Sequence, residues 1–187
     1  MKFLNGFKKI SGDASFRKFY RSKKKKSIIV IAYKEKTKNL LIYDAINKIL
    51  IKNNIIAPKL LNQNYYKNFI EIEDLGNQTI YQMLKKRDKD QYQIFKKIIK
   101  TLNKIQLVKD KKIKNFKNQS YKIEDYKNKF LLDEAKLFNV WYAKKKLSQK
   151  KLKLFNKKFN KEIKFLLSML NYKNNTFVHR DFHVSNL

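Results

Sequence analysis

The chain closes on Phe177-Val178-His179-Arg180-Asp181-Phe182-His183-Val184-Ser185-Asn186-Leu187. A short apolar strand end runs into His-x-Asp, and an Asn stands five residues after the Asp. Three fixed residues specify little by themselves. Their meaning depends on whether the residues upstream supply the rest of a site.

With 187 residues the chain is long enough to bury a core, as one domain or two small lobes. Lys and Arg number 46 against 15 Asp and Glu, a formal net charge of +31. The lysines are spread along the chain, Asn and Ile are abundant, and Gly (3) and Pro (1) are scarce. That joint skew points to a codon bias toward A and T on a solvated surface, so no nucleic-acid partner is expected. The positive field still favours an anionic ligand such as a nucleotide. Without Cys there are no disulfides or thiolate metal sites. No apolar run approaches the roughly 20 residues that span a bilayer, and Met1–Gly6 lacks a signal-peptide pattern. The expectation is a soluble, cytoplasmic, monomeric protein without a membrane partner.

Residues 1–76 read as strands around one helix. Ser11-Gly12-Asp13-Ala14-Ser15 is a turn signal, and Phe16-Arg17-Lys18-Phe19-Tyr20-Arg21 alternates as a strand. A lysine turn, Ser22–Ser27, leads to the apolar run Ile28–Tyr33, completing a hairpin. The helix expected from Lys36 to Asn53 carries Leu41, Ile42, Ala45, Ile46, Ile49 and Leu50 at helical spacing, with Asp44 at the border of that stripe. Asn53, Asn54 and Pro58 end it. Lys59–Tyr66 and Asn68–Ile72 read as a second hairpin that runs into Glu73-Asp74-Leu75-Gly76. Gly76 marks a hinge.

From Asn77 to Asn171 the pattern is mostly helical. A short helix runs from Gln78-Thr79 through Lys85. A longer one, capped by Asp88 or Asp90, reaches Val108 with Tyr92, Phe95, Ile98, Ile99, Leu102 and Ile105 inward. Lys109–Ser120 reads as a basic linker. A third helix spans Ser120 to Lys144 with Phe130, Leu131, Glu134, Leu137, Phe138, Trp141 and Tyr142. A fourth spans Ser148 to Leu170 with Leu152, Phe155, Phe159, Ile163, Leu166 and Leu170 on one face. A last strand, Thr176-Phe177-Val178, delivers the closing segment. The fold class is α+β.

Against this frame the closing segment matches H-x-D-x-x-x-x-N, the catalytic-loop spacing of phosphoryl-transfer enzymes with a protein-kinase-like fold. In such a loop the Asp orients an attacking hydroxyl and the Asn holds a magnesium ion on the nucleotide phosphates. Gly12 and Ser15 lie where a phosphate-covering loop needs small side chains, although G-x-G-x-x-G is absent. Lys34, at the end of Ile31-Ala32-Tyr33-Lys34, is a candidate phosphate-bridging Lys. Asp44 would be its helix carboxylate, unless it is a solvent-facing helix-edge acid.

The whole chain resembles the aminoglycoside phosphotransferase superfamily. Gly12-Asp13-Ala14-Ser15-Phe16-Arg17, Glu73-Asp74-Leu75-Gly76, Leu137-Phe138-x-x-Trp141-Tyr142 and Arg180–Leu187 are similar to segments of bacterial anomeric kinases of cell-wall amino sugars. The resemblance implies a bilobal fold, with an N-lobe of residues 1–76 and a partial helical C-lobe of residues 77–187. It implies ATP and Mg2+ as cofactors and N-acetylmuramate or N-acetylglucosamine as the substrate sugar. An aminoglycoside, choline or homoserine is the alternative acceptor, and a basic nucleic-acid-binding protein or an inactive kinase-like scaffold the alternative class. Carried over, Asp181 is the catalytic residue, Asn186 the metal ligand, and Lys34 and Asp44 the phosphate-site pair. Glu71 and Glu73 bound the hinge whose backbone reads adenine, while His179 and His183 fix the loop. The superfamily carries a second metal-binding Asp on a strand beyond the catalytic-loop Asn. Leu187 precedes any such residue, so the resemblance also implies an N-terminal piece of a longer enzyme, with little activity of its own.

Overall fold

A computed structural model describes residues 4–10, 17–86, 90–171 and 176–187. The chain forms two compact units, Met1–Ile123 with His179–Leu187, and Glu124–Val178. The first unit thus holds the sheet, the two helices within residues 80–106 and the closing segment. Gly12, Ser15 and the alternative cap Asp88 lie outside the described residues.

The first unit is built on a five-stranded antiparallel sheet in the order β1-β2-β3-β5-β4. Its strands are β1 (Phe7–Ile10), β2 (Arg17–Ser22), β3 (Ser27–Ala32), β4 (Leu60–Asn64) and β5 (Phe69–Glu73). Strand β3 is an unbroken β-branched run, as a strand covered on both faces must be. Val30 is fully buried, and Ile29, Ile31 and Ala32 nearly so. Directly opposed residues share a face. Phe19 opposite Val30 therefore joins the core of Val30, Ala32, Leu40, Ile70 and Ile72, together with Ile28, Tyr43 and Leu60.

Helix α1 (Lys38–Lys52) begins after a 3₁₀ turn at Lys34–Lys36, two residues later than its apolar spacing suggested. The Thr37 hydroxyl lies 2.8 Å from the Lys34 carbonyl and 2.7 Å from Asn68 Oδ1, which fixes that entry turn. The buried face is Leu40, Leu41, Asp44, Ala45 and Ile49, while Ile42 is exposed. The helix stops in a Schellman motif: Asn54 adopts φ 55°, its N–H donates to Ile51, and the Ile55 N–H donates to Leu50.

The basic stretch expected to be a linker is instead a hairpin, β6 (Lys112–Lys114) and β7 (Ser120–Lys122). Asn115 Oδ1 accepts from the N–H groups of Lys117 and Gln119 and closes the turn, and Asn118 takes φ 57°. Phe116 packs on the sheet's core and meets the Tyr65 ring edge-on at 6.2 Å. Asp110, just before this hairpin, accepts from Lys52 and Asn53 at the end of α1.

Two helices complete this unit, α2 (Ile80–Lys86) and α3 (Gln91–Gln106). Asp90 caps α3, accepting from the N–H groups of Tyr92 and Gln93. The inward stripe is Ile94, Ile98, Leu102, Ile105 and then Val108, at intervals of three and four. Tyr92, Phe95 and Ile99, expected inward, are exposed. The true stripe is one step round the helix from theirs.

The second unit contains α4 (Asn128–Phe138), a π-helical turn (Asn139–Ala143), the short α5 (Lys144–Lys146) and α6 (Gln149–Met169). Phe138, Phe155 and Phe159 cluster with centroid separations of 5.6 to 6.3 Å, and Tyr142 packs against Phe138 at 5.1 Å with the rings tilted by 30°. The π turn breaks the α register, burying Asn139 and Ala143 and leaving Leu137, Trp141 and Tyr142 exposed. On α6, Leu167 replaces Leu166 and Leu170 in the half-buried stripe. Residues Thr176–Val178 form no strand.

Candidate active site

The closing segment turns sharply at Arg180, whose φ of 72° places a non-glycine residue in the left-handed region. Such a backbone costs on the order of 1–3 kcal/mol and persists only where its surroundings hold it. His179 packs edge-on against Phe182 at 5.4 Å beneath the turn. Asp181, which follows Arg180, is left with its side chain 73 % exposed.

Asn186 then folds back over Asp181. Its Nδ2 donates to Asp181 Oδ2 at 2.8 Å and to the Asp181 carbonyl at 3.0 Å, while its own N–H donates to the His183 carbonyl at 2.9 Å. On the other side, His183 Nε2 stands 3.5 Å from Asp181 Oδ1. The Ser185 N–H donates to His183 Nδ1 at 3.3 Å, so the neutral ring carries its proton on Nε2, facing the carboxylate.

Helix α2 anchors this loop from below. A helix N-terminus leaves four N–H groups without intrahelical partners. Here the Ile80 N–H donates to the Leu187 carbonyl at 2.8 Å and the Tyr81 N–H to the Val184 carbonyl at 2.9 Å. The Gln82 N–H donates to Thr79 Oγ1, and Gln82 Oε1 accepts from the Thr79 N–H, a reciprocal capping box. The Met83 N–H donates to the Thr79 carbonyl. All four donors are satisfied, two of them by the candidate catalytic loop. The pattern Thr79-x-x-Gln82 was legible in the sequence; its coupling to the loop was not.

The hinge is tied to β2. Arg21 Nη2 donates to Asp74 Oδ1 at 2.9 Å and to the Gly76 carbonyl at 2.8 Å, and its Nε lies 2.5 Å from Asp74 Oδ2. Asp74 Oδ1 also accepts from the Gly76 N–H, which helps hold Gly76 at φ 105°. Glu71 and Glu73, by contrast, sit within β5, which is paired on both sides. The Glu73 N–H donates to the Lys59 carbonyl, so ladder bonding engages the backbone expected to read a base. The connecting segment proper starts at Asp74. Beyond it lies an open recess of ≈ 520 Å³ lined by Asn77, Gln78, Gln82, Lys85 and Lys86.

The expected phosphate-site pair is not brought together. Lys34 lies past the end of β3 on the exposed 3₁₀ turn. Asp44 is only 2 % exposed, and its Oδ2 is 2.9 Å from Lys48 Nζ, one turn along the same helix. A carboxylate on a buried helix face needs a cationic partner, and Lys48 supplies it. The solvent-facing alternative for Asp44 does not hold. Arg17 packs against α1, its guanidinium carbon 4.9 Å from the centroid of the Tyr43 ring.

For a metal ion, Asp181 and Asn186 offer a carboxylate and an amide oxygen. The amide nitrogen of Asn186 is committed to Asp181, which turns its oxygen the other way. Among the described residues no group of three or more His, Cys, Asp or Glu side chains could hold a metal by itself. Two oxygen ligands without a full protein cage suit Mg2+ carried in by a nucleotide whose phosphates supply further ligands.

No helix among the described residues is long and apolar enough to cross a membrane. No curated protein matches the chain closely enough to be counted a relative. Compared with known protein families, residues 6–187 match the phosphotransferase enzyme family (APH). The α+β sheet-and-helix architecture agrees with that match, and the chain belongs to the phosphotransferase enzyme family.

Proposed function

We propose that the chain belongs to an enzyme that transfers a phosphoryl group from Mg2+-bound ATP to a hydroxyl of an amino sugar, of the N-acetylmuramate or N-acetylglucosamine type. The observation that carries the reading is Asp181, exposed yet held through Oδ2 and its own carbonyl by Asn186, with His183 Nε2 3.5 Å from its other carboxylate oxygen. A carboxylate so held can accept or orient the proton of an incoming hydroxyl, and fixed orientation is most of what phosphoryl transfer asks of a protein. Asn186 would present its amide oxygen to the metal, which offsets charge on the phosphates. The base-reading segment would be Asp74–Gln78, since Glu71 and Glu73 are bound into the sheet. The amino-sugar class is supported by the similarity of the Gly12–Arg17, Glu73–Gly76, Leu137–Tyr142 and Arg180–Leu187 strings to anomeric kinases.

Calorimetry with the purified chain tests the nucleotide half: ATP binding should require Mg2+ and weaken about tenfold or more in Asn186→Ala. ADP release measured against an acceptor panel tests the other half. Stimulation by N-acetylmuramate or N-acetylglucosamine is expected; stimulation by choline, homoserine or an aminoglycoside alone would replace the substrate class.

A further inference from the structure

We infer that the recess beyond the hinge, lined by Asn77, Gln78, Gln82, Lys85 and Lys86, binds an anionic sugar, a ring of hydroxyls carrying one phosphate or carboxylate. Base reading along Asp74–Gln78 would use main-chain groups, so these five side chains have no role in it.

The start of α2 places them together. Gln82, Lys85 and Lys86 stand at i, i+3 and i+4, on one face of the helix. Gln78 precedes Gln82 by four residues, with Asn77 beside it at the entry to the same helix. The capping box then decides which end of Gln82 is available. Its Oε1 accepts from the Thr79 N–H, so its amide nitrogen is the end left to donate. The side chains of Asn77, Gln78, Lys85 and Lys86 make no hydrogen bond or ion pair with another described residue.

That lining dictates the ligand. Two ammonium groups and the Gln82 amide nitrogen donate, and among the described residues no carboxylate lines the recess to neutralise them. The ligand must therefore carry negative charge where it meets Lys85 and Lys86. Asn77 and Gln78 each offer donors and an acceptor oxygen, the match for hydroxyls, which both donate and accept. No aliphatic or aromatic side chain of the described residues lines the space, which disfavours an apolar ligand, while the methylene stems of the lysines can cover the C–H face of a sugar ring. A volume of ≈ 520 Å³ is in the range of small-molecule sites and takes one substituted hexose. The first backbone N–H groups of α2 are already engaged, so recognition falls to these side chains. A charge of +31 draws any anion; what sets this place apart is the amide array fixed beside the ammonium pair.

The test is equilibrium titration of the full chain with glucose 6-phosphate, glucuronate, glucose and inorganic phosphate, followed by NMR. At least one of the anionic sugars should bind about tenfold or more tighter than both glucose and inorganic phosphate, and the tighter of the two names the anion. Lys85→Gln/Lys86→Gln should weaken that sugar by about tenfold. Gln82→Glu keeps the capping oxygen but replaces the donor with a negative charge, so it should weaken the sugar as well, and it carries the test if the double variant fails to fold. Lys23→Gln/Lys24→Gln removes the same charge from the exposed turn between β2 and β3 and should leave binding within twofold. Equal losses in the two double variants would reduce the binding to attraction by net charge and overturn the inference. Glucose or inorganic phosphate binding as tightly as the anionic sugars would overturn it too. Displacement by saturating Mg-ATP would hand the recess to the nucleotide, with the same result. A chain that holds the sugar but binds no nucleotide overturns the nucleotide reading alone.

Discussion

Asn186 holds Asp181 twice, through its carboxylate at 2.8 Å and its backbone carbonyl at 3.0 Å, with a single Nδ2 group. A carboxylate 73 % exposed to water would otherwise sample several rotamers. The bond converts a surface Asp into an aimed one. It also explains the five-residue spacing, since the loop from Asp181 to Asn186 is one tight reversal.

Asp181→Asn and Asn186→Ala should therefore separate chemistry from folding. Neither side chain is buried, so unfolding free energies should stay within about 0.5 kcal/mol of the native value. Any acceptor-dependent turnover should be abolished or sharply reduced in Asp181→Asn with ATP affinity retained. In Asn186→Ala, Mg-ATP affinity should fall as well. Paired urea titrations and steady-state kinetics read both effects.

Thr79→Ala should loosen the catalytic loop from a distance. The hydroxyl of Thr79 caps the Gln82 N–H, and the same helix end donates to Val184 and Leu187. Losing a Thr cap costs about 1 kcal/mol. Hydrogen exchange of the Ile80 and Tyr81 amides should speed up by roughly fivefold, the equivalent of that energy at 25 °C. Unchanged protection of those two amides would show that the loop does not depend on the cap.

Arg21 and Asp74 should behave as a coupled pair. Their side chains are 25 % and 11 % exposed, and truncating one leaves the other charge partly desolvated. Each single alanine variant should lose about 1–3 kcal/mol, and the double variant should lose less than the sum. A double-mutant cycle by chemical denaturation measures the coupling. Additive losses would mean that the hinge is held by its backbone bonds alone.

Much of this architecture was legible because local rules and tertiary packing agreed. The Ile28–Ala32 run could only be a buried strand, Asn53-Asn54 before Pro58 could only stop a helix, and Asp90 could cap one. What escaped reading had a physical cause in each case. Lysines at Lys111, Lys112, Lys114 and Lys117 masked a hairpin anchored by the buried Asn115 and the half-buried Phe116. On α3 a second apolar row, Tyr92, Phe95 and Ile99, competes with the buried row one step away, and spacing alone does not choose between them. On α4 the π turn shifts the register, which a strict 3.6-residue period does not anticipate. In the candidate site, Asp181 and Asn186 were visible as a spacing.

Phe116→Ala should detach the β6–β7 hairpin from the sheet. Half-buried in the native state, the ring fills space beside Tyr65 and the core, so its loss should cost about 2–3 kcal/mol, below the range for fully buried Phe. Asn115→Ala removes an acceptor of two N–H groups from a buried side chain that is 5 % exposed, and should cost about 1–2 kcal/mol. Chemical denaturation reads both. Losses below about 0.5 kcal/mol would return the segment to the status of a linker.

Acid should weaken the tie between this hairpin and α1 through Asp110. Hydrogen bonds from Lys52 and then Asn53 hold its carboxyl below the ordinary value of 3.8. Because the folded value is depressed, the unfolded chain binds the proton first as pH falls. The contribution of the ionised carboxylate is thus fully present above about pH 4 and is lost as pH drops through the lower, folded value. Lys52 is 64 % exposed, so salt and solvent screen this pair and the contribution is small. Asp110→Asn keeps a side chain that can still accept from Lys52 and Asn53 but does not titrate. Urea midpoints measured from pH 6 down to pH 3 should therefore fall less steeply for this variant than for the native chain. Parallel curves would assign the acid response to the other carboxylates.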